Sequence, residues 1–169
     1  VPDLATVNRM EEAAFVALLG GVFEHAAWVA RAVAPQRPFA GLADLHAAMM
    51  RALRAAPADA QLTFLNGHPE LAGPEARARV LTADSASEQG SAGLDRMAEA
   101  EAAAFARLNA AYRARFGFPF IIAVRGRGRA EILTVFEARL GRDPAAERET
   151  ALAEVAQITR MRLDRLIDA

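Results

Sequence analysis

The sequence contains no cysteine and no lysine, so all 20 of its basic residues are arginine. Without cysteine there is no disulfide framework, no thiolate nucleophile and no cysteine-ligated zinc. Without lysine there is no Schiff-base chemistry and no phosphate-loop lysine. Histidine is scarce as well: His25, His46 and His68 are separated by 21 and 22 positions. None belongs to a His-x-x-x-His pair, so no metal site is expected. The 20 basic and 21 acidic residues leave a formal net charge of −1, which argues against a nucleic-acid partner. No apolar run approaches the roughly 20 residues that span a bilayer, so no membrane partner is expected. Val1-Pro2-Asp3 has neither the basic start nor the apolar stretch of a signal peptide. A soluble intracellular protein is the expectation.

What remains is rich in helix formers. The 169 residues suit one domain with its own core, and 42 of them are alanine. Asn8 and Glu11 have capping-box spacing ahead of Phe15, Val16, Leu18 and Leu19, and Gly20-Gly21 can end that helix. Further helices are expected over 24–34, 42–55, 59–65, 75–81, 92–116, 129–140 and 144–167. Leu42, Leu45, Met49 and Leu53 mark a buried stripe. Asp143 can cap a helix with Pro144 in its first position. Phe120 to Val124 is the one strand-like run; short and without an evident partner, it reads as an extended connector. The fold class is therefore all-α, a compact single domain of about eight or nine helices covering 1–169.

Two places carry polar groups that a plain helical surface does not need. His68-Pro69 sits among turn formers between helices, where an imidazole can exchange protons near neutrality. A surface or capping histidine is the plainer alternative. Ser85, Glu88 and Gln89 are spaced i, i+3, i+4, so a helix presents a hydroxyl, a carboxylate and an amide on one side. Ser85-x-x-Glu88 is equally a capping box. Arg125, after the apolar connector, can hold a carboxylate or carbonyl, and a solvated turn is the alternative. His25, beside Glu24 and Trp28, reads as a packed or interhelical histidine, and His46 as partly exposed. Spacing alone ends at a helical domain with one histidine–carboxylate cleft.

Five segments go further. They are Gly20-Gly21-Val22-Phe23-Glu24-His25-Ala26-Ala27-Trp28-Val29-Ala30, His68-Pro69-Glu70-Leu71-Ala72-Gly73, Ser85-Ala86-Ser87-Glu88-Gln89-Gly90-Ser91-Ala92-Gly93-Leu94, Phe116-Gly117-Phe118-Pro119-Phe120-Ile121-Ile122-Ala123-Val124-Arg125-Gly126, and Phe136-Glu137-Ala138-Arg139-Leu140. In this order and spacing the chain resembles the OHCU decarboxylase family, which acts on 2-oxo-4-hydroxy-4-carboxy-5-ureidoimidazoline. Members often have Ser-Pro where this chain has Ala26-Ala27.

The resemblance implies an all-helical, cofactor-free, homodimeric carboxy-lyase that converts OHCU to (S)-allantoin in urate degradation. It implies catalysis by His68 and Glu88, and substrate contacts from Pro69, Ser85, Gln89, Ile121, Ala123 and Arg125. With arginine replacing lysine, a bacterial cytoplasmic protein is expected. The alternatives are a helical ureide-binding module and a decarboxylase of a related ureido acid.

Overall fold

The computed structural model describes residues 1–73, 81–94 and 97–169. Among the described residues there are nine α-helices and no strand, only a single bridge between Asp3 and Asp168. The helices are α1 (Leu4–Arg9), α2 (Glu12–Leu19), α3 (Ala27–Val33), α4 (Leu42–Ala55), α5 (Ala58–Asn66), α6 (Ala83–Ser91), α7 (Glu99–Phe116), α8 (Arg129–Leu140) and α9 (Pro144–Leu166). A short 3-10 helix, Ala34–Gln36, follows α3. The helix expected over 75–81 lies, but for Leu81, outside the described residues.

The chain divides into two compact units: Val1–Gly67 with Ala156–Ala169, and His68–Val155. In the first, the expected α4 stripe of Leu42, Leu45, Met49 and Leu53 is buried with Phe15, Phe23, Val29 and Phe64. In the second, Phe105, Leu108, Tyr112, Phe120, Ile132 and Phe136 form the core. Every predicted site residue, from His68 to Arg125, belongs to this second unit.

Several helix ends follow local chemistry. Gly117 stops α7 in the left-handed region at φ +79°, where a side chain would be strained. Asp143 caps α9 by accepting from the amides of Ala145 (3.1 Å) and Ala146 (3.3 Å).

Three expectations are corrected. Asn8 is not a cap, because Asp3 caps α1 through the Thr6 amide at 2.7 Å and Asn8 lies inside that helix. Its amide instead bonds both backbone groups of Phe39, donating at 2.9 Å and accepting at 2.8 Å. His25 is neither packed nor helical: it is exposed, with φ +52°, in the turn before α3. The Ser85-x-x-Glu88 capping box does not form, since Thr82 caps α6 by accepting from the Ser85 amide at 3.2 Å. Ser85, Glu88 and Gln89 are therefore all interior to α6.

Candidate active site

His68 opens the second unit immediately after α5 and is 8% exposed, so the surface alternative does not hold. The loop behind it has no regular ladder, and its buried backbone groups take partners from side chains. Gln89 supplies two of these contacts: its Oε1 accepts from the Ala72 amide at 2.9 Å, and its Nε2 donates to the Glu70 carbonyl at 3.4 Å. Asn109 on α7 donates to the Leu71 carbonyl at 2.9 Å, and Arg113 one turn on pairs with Glu70 at 3.0 Å. Ala72 is held at φ +52°, a conformation that costs an alanine about 1–2 kcal/mol. The loop is thus fixed to α6 and α7 at four points.

On α6, Ser85 and Gln89 are buried and Glu88 is half-buried. Helical spacing puts Glu88 and Gln89 each one turn on from Ser85, and the Gln89 bonds bring this helix to the loop that His68 leads. Pro69 is half-buried in that loop. Gln89 spends both ends of its amide on the loop backbone, a positioning task that spacing did not disclose.

The second group of candidates lies on the connector. Phe120 to Val124 are buried and belong to no helix or strand, as expected. The Ile121 carbonyl accepts from Arg139 Nη1 at 2.7 Å, and the Ala123 amide donates to Glu154 Oε2 at 3.0 Å. The Phe120 ring stacks on Phe136 at 3.8 Å, with the Arg139 guanidinium 4.4 Å from its centre. Arg125 is exposed in the turn that follows, which closes by the Arg127 amide donating to the Val124 carbonyl at 3.0 Å.

Helix α7 serves both groups. Asn109 and Arg113 hold the His68 loop, while Tyr112 packs edge-on against Phe118 and Phe120 of the connector. The Tyr112 hydroxyl donates to Glu147, whose carboxylate also pairs with Arg139. Burial first, then the Glu147 bond and charge, push the Tyr112 hydroxyl well above the ordinary tyrosine pKa.

Sequence reasoning missed Glu154, Arg139 and Glu147. Isolated charges in helical segments read as solvated faces, and nothing in their spacing marks them as buried. It also missed a pair in the first unit, where Arg162 donates to Glu24 at 2.7 Å with both side chains 2% exposed. Glu24 lines a concavity of about 440 Å³ together with His25, Trp28, Asp59, Thr63 and Phe64, which gives part of the first resembling segment a surface of its own.

The arrangement defines a helical protein with a buried histidine on a clamped loop, next to a helix carrying a hydroxyl, a carboxylate and an amide. Comparison with known proteins gives this class a family. The OHCU decarboxylase family profile matches residues 8–164. The 2-oxo-4-hydroxy-4-carboxy-5-ureidoimidazoline decarboxylase of Amia calva is 41% identical over 165 residues, covering 98% of this chain and 94% of that protein. The decarboxylase of the same name from Mus musculus is 40% identical over 167 residues, covering 99% and 94%. A crystal structure of (S)-allantoin synthase is similar with a TM-score of 0.79 at 29% identity, covering 98% of this chain and 54% of that one. The chain belongs to the OHCU decarboxylase family.

Proposed function

We propose that this chain decarboxylates OHCU to (S)-allantoin without a cofactor, with His68 as general acid/base and Glu88 assisting. The observation that carries the reading is the buried His68 at the head of a loop that Gln89 ties to the helix bearing Ser85 and Glu88. Family membership over nearly the whole chain supports it.

Loss of carbon dioxide leaves an electron pair on carbon, and the conjugated imine and carbonyl of the imidazoline accept it. The substrate therefore supplies its own electron sink. The protein's work is orientation, exclusion of water and delivery of a proton to one face. His68 moves that proton. Glu88 orients His68 or holds the N–H groups of the ring and ureido arm. Ser85 and the remaining Gln89 valences bond the carbonyl and ureido groups, beside Pro69. The backbone of Ile121 and Ala123 lines the substrate, and Arg125 anchors an anionic or carbonyl oxygen.

In this reading 1–169 acts as one functional domain, in a cytoplasmic homodimer. Among the described residues no helix is long and apolar enough to cross a membrane.

Circular dichroism on freshly generated OHCU tests the function, because OHCU also decays spontaneously and disappearance alone proves little. Faster decay that leaves a lasting (S)-allantoin signal, lost in His68→Ala, is expected. Decay at the spontaneous rate to an optically inactive product would overturn the reading and leave a ureide-binding module or an enzyme for another ureido acid.

A further inference from the structure

The connector from Phe120 to Val124 is buried without a strand partner, so its polar backbone atoms need partners from side chains. Glu154 on α9 supplies one and does more. Its Oε2 accepts from the Ala123 amide at 3.0 Å, and its Oε1 lies 3.8 Å from Arg127 Nη2. Between Ala123 and Arg127 the chain reverses, closed by the bond from the Arg127 amide to the Val124 carbonyl, with Gly126 at φ +76°. That positive φ belongs to the third position of a type II turn and puts Arg125 in the second. A single carboxylate therefore grips the chain on both sides of Arg125.

Packing does not require a charge here. Glu154 is 8% exposed, and burying a carboxylate costs free energy that a leucine would not incur. What the carboxylate adds is geometry: one oxygen for the connector and one for the far side of the turn. Upstream, Arg139 does the same for Ile121, bonding its carbonyl while it covers the Phe120 ring. The anchored atoms belong to the residues read above as lining the substrate.

We propose that Glu154 is a positioning residue for the decarboxylation, setting Arg125 in register with the backbone of Ile121 and Ala123. The inference rests on the functional reading above, in which those three residues meet the substrate. Glu154 itself acts through Ala123 and Arg127.

The test compares E154L, E154Q, R125A and the double variant E154L/R125A for kcat and KM on fresh OHCU, well below each thermal midpoint. E154L is expected to lower kcat/KM by about 10–100-fold, the scale of a misplacement of about 1 Å. The loss should fall largely in KM, and E154Q, which keeps an oxygen for the Ala123 amide, should restore most of it. R125A should then cost far less in the E154L background than alone, because the arginine has already lost its register. Unchanged kcat and KM in folded E154L, or losses that multiply independently with R125A, would overturn the proposal. Should E154L fail to fold, R127Q breaks the same grip from the half-buried arginine. A raised KM in R127Q supports the proposal and an unchanged one overturns it. A wild type inert toward OHCU overturns the functional reading instead, a result distinct from an active enzyme indifferent to Glu154.

Discussion

Tyr112 donates its hydroxyl hydrogen to Glu147 Oε1 at 2.6 Å, and the same oxygen accepts from Arg139 Nε at 2.6 Å. Glu147 and Tyr112 are fully buried and Arg139 is 5% exposed, so three polar side chains share one desolvated point. The pair of Arg139 and Glu147 is worth keeping only while both members are present, since an orphaned buried charge typically costs about 3–5 kcal/mol.

Tyr112 is the single tyrosine of the sequence, so ultraviolet titration reads this hydroxyl alone. Its pKa is raised in the folded protein, chiefly by burial and then by Glu147. Above the unfolded value of about 10, the unfolded chain has lost the proton and the folded chain keeps it, so stability falls as pH rises. Tyrosinate absorbance should therefore appear only together with loss of helical circular dichroism. A tyrosinate signal near pH 10 in a fully helical protein would show that the hydroxyl is not held as described.

Tyr112→Phe removes a hydrogen bond to a charged group and nothing else of size. The expected loss is about 1.5–3 kcal/mol, or roughly 3–12 °C in thermal midpoint for a domain of this size. Calorimetry checks it, and an unchanged midpoint would count against the bond's contribution.

His68 makes a kinetic prediction. General acid–base catalysis typically contributes about 10²–10⁴-fold, so His68→Asn should lower kcat by at least that order. Helical circular dichroism should be retained, because the loop is also held by Gln89, Asn109 and Arg113. Near-normal turnover in His68→Asn would remove His68 from the proton transfer.

Much of this architecture is legible in the residues, and what is not has a common cause. The α4 stripe, the Asp143-Pro144 start and the Gly117 stop are local events, decided within a turn or two of helix. The unpartnered connector is legible too, because a sheet needs a second strand and none is written. The place of Asn8 is not legible, because two residues, Asp3 and Asn8, can each cap a nearby helix and only tertiary contacts choose between them. Asn8 is claimed by Phe39, 31 residues on. Tyr112, Arg139 and Glu147 meet across the fold, and periodicity carries no record of such meetings. At the site, spacing puts Ser85, Glu88 and Gln89 on one face, but that Gln89 spends itself on the His68 loop depends on two segments docking.

The Glu24–Arg162 pair offers a separate stability test in the first unit. Arg162 donates to Glu24 at 2.7 Å and to the Val22 carbonyl at 3.3 Å. Arg162→Met alone removes the guanidinium paired with the buried Glu24 carboxylate and should cost about 3–5 kcal/mol. Adding Glu24→Leu removes that charge and should recover part of the loss, a coupling that a double-mutant cycle in urea measures directly. Additive losses would mean that the two side chains contribute independently.

His46 sets a pH dependence with a definite sign. Its Nε2 lies 2.9 Å from Thr159 Oγ1, which in turn lies 3.3 Å from the Ala156 carbonyl oxygen. Burial first and then Arg160 lower its pKa, opposed by Asp164 and a backbone contact with Ala156. Between the lowered folded value and the unfolded value of about 6.5, the unfolded chain holds a proton that the folded chain lacks, so stability rises with pH there. Acidification from neutrality should therefore destabilise the wild type more than His46→Gln, by at most about 1.4 kcal/mol per pH unit. The other two histidines are common to both proteins and cancel in the difference. Urea unfolding of the two proteins at pH 7 and pH 5.5 measures it. Parallel stability profiles across that interval would show that His46 titrates alike in the folded and unfolded chains.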